Sequence, residues 1–442
     1  MANRIGLVLA ALCGALIALA VTKTLSSRPS SAPPRAFAPT TSEVRYRFDI
    51  PAQKDPRAEL DDAINTAEAR RKASPDDPLE LTELANLYLV RAQADGDKRD
   101  WDAAEQLAQR SLEILPAPNG AAITLAKLAN ARHDFHGAIE KAHTYRGRNA
   151  TAVPMVLATA YLALGDLPQA AAAADQAVRT KPSPTTHLER ALVLEAGGRD
   201  DEAEADFAAA VRLEDYGDLL ESARVRALWA RFLVRRGAYD GAARVIGEAL
   251  RIAPTNALAL SVRGELALRS GDPVAARADL EQAFAASHQL RYLIDQARAI
   301  EAAGDHTGAS ALRRQVEQLV RDDLATGNYG HRLELVEVLL DQGDADKRAE
   351  ALTIAQDELT RRPGAETRFQ LARALAWTGD REGALEQLYA AFATGAREPQ
   401  YYELAARLET ARGDAARGAM YTGLADARDP KRAGWRTMGM PR

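Results

Sequence analysis

The sequence predicts an all-α protein, an α-solenoid of about ten helix-turn-helix repeats. Three observations predict it. Glycines recur at Gly165, Gly198, Gly237, Gly271, Gly304, Gly343, Gly379 and Gly413, with successive spacings of 33, 39, 34, 33, 39, 36 and 34 residues, a period that marks stacked helical hairpins with occasional insertions. Between these glycines, apolar residues return every three to four positions, the mark of one helix face. Hydrophobic residues reach 47% while aromatics are only 5%, so the apolar content is mostly Ala and Leu, which lets helices approach closely. Charged residues make up 27% with a net charge of −5, too balanced for a nucleic-acid partner. The single cysteine, Cys13, excludes a disulfide framework and a cysteine metal cluster.

Taken in order, the chain opens with Arg4 and then an uncharged, mostly apolar run over residues 5–22. This reads as an export signal. A membrane span needs about 17 to 25 residues, so the length favours retention as an anchor helix, while Ala18-Leu19-Ala20 offers a cleavage site that favours removal. Residues 23–55 read as a Pro/Ser/Ala-rich linker, too poor in large apolar groups to fold by itself. Within it, YRFDIP at residues 46–51 alternates apolar and polar positions but finds no second strand, and is expected to dock as an extended segment. Residues 56–75 read as a lone helix, with Leu60, Ile64 and Ala67 on one face, capping the first repeat.

The repeats run over residues 78–428. The clearest is TAVPMVLATAYLALGDLPQAAAAADQAVRTKP, residues 151–182: Leu157, Ala158 and Tyr161 share one face of a first helix, Ala170, Ala174 and Ala177 one face of a second. Gly165-Asp166 forms the turn and Pro182 stops the second helix. Trp229-Ala230-Leu233 with Ala242, Ile246, Ala249 and Pro254 repeats the pattern, as do Leu371-Ala372-Leu375 with Ala384, Leu388 and Ala391. This chain resembles a tetratricopeptide-repeat protein, and the resemblance implies a right-handed superhelix with first helices lining a concave groove. Arg190, Arg263 and Gln296 stand where that pattern has leucine, and Gly418 where it has alanine.

No nucleophile with a placed base, phosphate loop or carboxylate pair stands out, so no enzyme activity and no cofactor are expected. His133, His136 and His143 lack the partners of a metal site. Carried onto this sequence, the groove of the resemblance includes Arg224, Arg231, Arg235, Glu265, Arg269, Arg291, Asp295 and Arg298. This arginine excess points to an acidic peptide or protein ligand; ordinary pairing with nearby Glu and Asp is the alternative. Asn86, Lys127 and Asn130 fall at or near the groove's polar positions. In the unit at 151–182 the groove positions Met155, Val156, Thr159 and Leu162 are uncharged. Arg373, Trp377, Tyr401, Tyr402 and Arg407 are expected to give the C-terminal repeats an aromatic, basic surface, followed by a basic tail at residues 429–442.

The expected function is a non-catalytic protein-interaction scaffold or assembly factor of a bacterial envelope complex, anchored in the inner membrane facing the periplasm, or periplasmic if the signal is cleaved. A carbohydrate-polymer-guiding solenoid in polysaccharide export and a regulatory subunit of an envelope enzyme are the alternatives.

Overall fold

The computed structural model describes residues 37–50, 56–95, 97–116, 118–147, 151–325 and 330–429. The apolar run at 5–22, most of the segment read as linker, and residues 430–442 lie outside the described residues. No described helix is long and apolar enough to cross a membrane. From Phe37 onward the described residues form one compact unit.

The described residues hold helices and no strand. A short α1 (Thr41–Val44) precedes α2 (Pro56–Ala73), and ten hairpins follow. The first five are α3–α4 (Pro78–Asp95, Lys98–Ile114), α5–α6 (Ala121–Ala131, Phe135–Thr144), α7–α8 (Ala152–Ala163, Leu167–Thr180), α9–α10 (Pro184–Ala196, Asp200–Arg212) and α11–α12 (Leu219–Arg235, Tyr239–Ile252). The second five are α13–α14 (Ala257–Arg269, Pro273–Ser287), α15–α16 (Leu290–Ala302, His306–Ala325), α17–α18 (Arg332–Gln342, Ala345–Arg361), α19–α20 (Ala365–Thr378, Arg381–Ala393) and α21–α22 (Pro399–Ala411, Ala415–Arg428).

The turn chemistry is the one the residues dictate. All eight periodic glycines have positive φ, between +69° and +96°, where a Cβ would be strained. The next residue reaches back over the turn, as Asp166 N–H does to the Tyr161 carbonyl at 2.9 Å, closing the first helix. At several turns an aspartate there then caps the second helix by its side chain: Asp166 accepts from the Gln169 N–H at 3.2 Å and Asp272 from that of Ala275 at 3.0 Å. In the second hairpin His133, at φ 60°, replaces the glycine, so the glycine period does not reach it.

Alanines carry the packing inside each hairpin: Ala158, Ala170, Ala174 and Ala177 are wholly buried. The departures from leucine substitute polar contacts between helices for apolar ones. Arg190 grips Asp206 at 2.6 and 2.7 Å and Arg263 grips Asp279 at 2.8 and 2.6 Å. Both arginines reach from a first helix to the second helix of the same hairpin. Gln296 turns the other way and donates to Glu281, on the second helix of the preceding hairpin, at 3.0 Å. Gly418 is small because a Cβ there would strike Thr410 and stand 3.2 Å from the Ala406 carbonyl.

Residues 37–50, inside the range read as linker, are docked on the array between α10, α11 and α12. Val44 and Tyr46 are buried, and Phe37 meets Phe232 edge-on at 5.3 Å. The backbone of this strap is held by side chains: Arg226 donates to the Val44 carbonyl at 2.6 Å, Arg244 to that of Pro39 at 2.9 Å, and Glu248 accepts from Tyr46 N–H at 2.7 Å. Arg226, fully buried, also pairs with Glu214 at 2.8 Å. Glu214 lies in the segment that stretches the glycine spacing from Gly198 to Gly237, so this insertion houses the strap.

The array also curls far enough for distant hairpins to meet. A Cβ on Gly165 would stand 3.0 Å from the Cα of Gly364, and one on Gly395 would stand 2.5 Å from the Gly197 carbonyl. His133 reaches Arg362 at 3.2 Å. The turns of the second to fourth hairpins thus rest against connections of the eighth to tenth.

Candidate functional site

The first helices α3, α5, α7 and onward lie side by side, and a ladder of polar side chains joins one to the next along their inner face. Thr124 on α5 donates to Asn86 on α3 at 2.9 Å, Asn130 donates to the Val156 carbonyl on α7 at 3.0 Å, and Thr159 on α7 donates to Glu189 on α9 at 2.8 Å. Arg235 on α11 stands 3.7 Å from Glu195 on α9. Arg291 on α15 donates to Glu337 on α17 at 2.7 Å, and Arg373 on α19 pairs with Asp341 on α17 at 2.6 Å. Such a face is polar and preformed from α3 to α11 and again from α15 to α19.

Each arginine read as groove-lining has a place in this face. Arg224 is exposed and pairs with Glu221 at 3.1 Å. Arg269 bonds Glu265 at 2.8 Å and Asp429 at 3.0 Å. Arg298 meets Asp295 at 2.9 Å and, with Arg291, converges on Glu337. Arg373 is buried, bonded to Asp341 and to Gln370 at 2.9 Å. Carboxylates from the same or neighbouring first helices therefore accompany the arginines, so the face is a mosaic of both signs rather than a cationic stripe. Glu195, Glu265, Glu337 and Glu398 supply the acidic half; only Glu265, four residues before Arg269 on the same helix, was placed opposite its arginine by local spacing.

Arg231 differs from the rest. Among the described residues it makes no ion pair or hydrogen bond, and its Nε is buried without a partner. Burial, and next the charge of Arg235, pull its pKa below the ordinary guanidinium value despite Glu195, Glu265 and Glu398 nearby. For Arg235 burial works the same way, but Glu398, Glu195 and Glu265 outweigh it and raise the pKa. Lys127 faces solvent, yet the surrounding helices remove enough water to lower its pKa. Burial raises that of Glu189. These shifts mark a confined, partly dehydrated face.

The C-terminal aromatics lie elsewhere than on an open surface. Tyr401 and Tyr402 are buried, Tyr401 stacked on Phe369 at 4.3 Å and Tyr402 on Phe392 at 5.0 Å. They are large apolar residues on a helix that is buried on several sides, which a face count from sequence does not distinguish from exposed ones. Trp377 is half-buried beneath the Arg348 guanidinium, 3.8 Å from the ring centroid. Arg407 pairs with Glu403 at 2.5 Å. Val156 is buried between hairpins, and Thr159 carries the ladder bond of its unit. His133 stacks on Phe135 at 5.5 Å, and among the described residues no cluster is suited to hold a metal ion.

These features define an α-helical repeat protein, an array of helix-turn-helix hairpins. No family profile matches the chain, and no curated relative does. Among solved structures it is similar to human IFIT1, described as a dimer with PPP-AAAA, at 16% identity over 84% of this chain and 78% of that one, with a TM-score of 0.43. It is also similar to TTC0263, a thermophilic TPR protein in Thermus thermophilus, at 28% identity over 43% of this chain and 97% of that one, with a TM-score of 0.37. A tetratricopeptide repeat protein from Parabacteroides merdae matches at 18% identity over 55% of this chain and 92% of that one, with a TM-score of 0.38.

Proposed function

We propose that this protein is a non-catalytic scaffold that holds an extended protein segment against the inner face of its first helices. The observation that carries the reading is the polar face of the first helices, bonded from Asn86 to Arg235 and again from Arg291 to Arg373, which lines many hairpins with hydrogen-bonding groups. An extended peptide offers the complementary pattern in its own backbone. The acidic-ligand form of the reading requires the partner's carboxylates to compete with Glu337 for Arg291 and Arg298, or to reach Arg231 and Lys127. A glycan is less favoured, because Trp377, the aromatic on which a sugar ring would stack, is covered by Arg348. With the apolar run at residues 5–22 as signal or anchor, the scaffold serves an envelope complex, facing the periplasm.

Crosslinking of the full chain in native envelopes, followed by mass spectrometry of captured proteins, tests this reading. Arg231→Glu combined with Lys127→Glu is expected to reduce capture of the specific partner at least tenfold while the helical signal in circular dichroism stays unchanged. Capture equal to the parent's would remove the inner face as the binding site. Carbonate extraction of the same membranes reports on the anchor, which is expected to keep the chain in the pellet.

A further inference from the structure

The hydrophobic clusters of this protein are built from hairpins adjacent in sequence. One spans residues from Leu188 to Val262 together with Val44 of the strap, and another runs from Leu290 to Ala425. Among the described residues no cluster joins α7–α12 to α19–α22, although those elements touch. Their contact is made of glycine backbones and charge. Arg236, at the end of α11, stands 3.1 Å from Asp200 and 3.4 Å from Glu398. Arg428, at the end of α22, pairs with the same Asp200. Asp429, wholly buried, accepts from the Tyr239 hydroxyl at 2.9 Å and from Arg269 at 3.0 Å.

Near this contact lie buried polar atoms that lack a hydrogen-bond partner, the Glu195 oxygen among them facing Arg235 at 3.7 Å. Arg231 Nε, Arg236 Nε and one carboxylate oxygen of Glu195 are buried and form no hydrogen bond among the described residues. Each such group is less stable buried than it would be with a bonded partner. Within the last two hairpins, by contrast, Phe369–Tyr401, Phe392–Tyr402 and Phe392–Tyr421 stack at 4.3, 5.0 and 5.5 Å. The ninth and tenth hairpins therefore form a firm block, held across the inner face by a polar contact that hides unsatisfied groups. Units joined by polar contacts without a shared apolar core move relative to one another by default.

We propose that this block is a latch: in the closed form it covers the inner face around Arg231, and an extended peptide segment gains the face when the contact from Asp200, Arg236 and Tyr239 to Glu398, Arg428 and Asp429 releases. The inference rests on the inner face being the partner site. Release costs the ion pairs of the latch and frees Arg231 Nε, Arg236 Nε and Glu195 to bond the incoming backbone. Opening and binding are thereby coupled, because the ligand satisfies what closure leaves orphaned.

The test uses the full chain with Cys13→Ser and spin labels at Ala205→Cys on α10 and Ala416→Cys on α22, both exposed positions. Paired Asp429→Asn and Tyr239→Phe substitutions are expected to shift the distance distribution to longer values by more than 5 Å. The same substitutions should speed maleimide labelling of a separate Arg231→Cys variant, at a position whose side chain is covered in the closed form, at least threefold. Arg428→Ala, which trims a partly exposed member of the contact, provides a milder second variant if the paired change disturbs folding. Distances and labelling rates equal to the parent's overturn the latch whether or not a partner binds. Opening without increased capture of the crosslinked partner overturns the gating role, while opening with at least threefold greater capture supports it.

Discussion

Gly198 and Gly395 show how one residue type serves two purposes in the same array. Both have positive φ, like Gly271 and Gly304, but a Cβ on Gly271 or Gly304 meets nothing within 4 Å, whereas one on Gly198 or Gly395 runs into the facing backbone. Gly271→Ala should cost only the left-handed strain, about 1 kcal/mol; Gly395→Ala adds a collision with the Gly197 carbonyl. Thermal unfolding of the two variants is expected to show a clearly larger loss for Gly395→Ala, and equal losses would mean the two turns do not press together in solution. His133 gives a pH signature at the same scale. Burial first, then Arg362, push its pKa down to about 4 against the opposing pull of Glu334. The group is neutral in the folded chain and ordinary, near 6.5, when unfolded. Its contribution is present above pH 6.5 and is lost as pH falls toward 4, because the unfolded state then binds the extra proton. Urea titrations across that window should show stability declining with acid, and His133→Asn should flatten the decline.

The hairpin was legible as an element because everything that defines it is local. A glycine, an aspartate and alanines three to four apart specify a turn, a cap and a seam within about thirty residues. The exceptions at Arg190 and Arg263 show as departures in sequence, but their partners Asp206 and Asp279 emerge only when the second helix is laid against the first. Removing one partner should reveal the pair: Arg263→Leu leaves Asp279 buried and unpaired and is expected to destabilise by about 2 kcal/mol, while Arg263→Leu with Asp279→Leu recovers most of it. A double-mutant cycle in chemical denaturation measures the coupling. The strap was half legible. Its alternation marks an extended segment needing a cleft, and the long spacing from Gly198 to Gly237 marks an insertion, but nothing in either stretch says that they meet. Truncation of Arg226 to Met is expected to cost about 3 to 5 kcal/mol, since Glu214 stays buried without its cation and Val44 loses its donor.

At the scale of the whole molecule, the inner face was the least legible feature. Arginine spacing along first helices is visible in sequence. Some carboxylates opposite them, such as Glu265 and Asp295, sit a turn away on the same helix, but Glu195 and Glu337 come from neighbouring hairpins, and Glu398 and Asp429 from hairpins far along the chain. Their positions follow from the summed rotation between consecutive hairpins, which no single repeat encodes. The closure pairs carboxylates with several cations at once. Burial opposes the charge on Asp200, but Arg236 and Arg428 hold its pKa below the usual range, and Arg236, Arg235, Arg269 and Arg428 do the same for Glu398. Both carboxylates contribute above their unfolded pKa of about 4 and lose the contribution as pH falls below it.

Contact between Asp429 and Tyr239 changes the thermodynamic class of the array. An open solenoid obeys nearest-neighbour statistics, in which removing a terminal repeat subtracts one intrinsic term and one interface. Here the terminal repeat also borders the fourth and fifth, so the chain of interactions is cyclic and local fraying at either end is penalised by a remote interface. Deleting α21 and α22 should therefore raise amide exchange at the turns around Gly198 and Gly237, nearly two hundred residues away in sequence, while leaving the turn at Gly304 as it was.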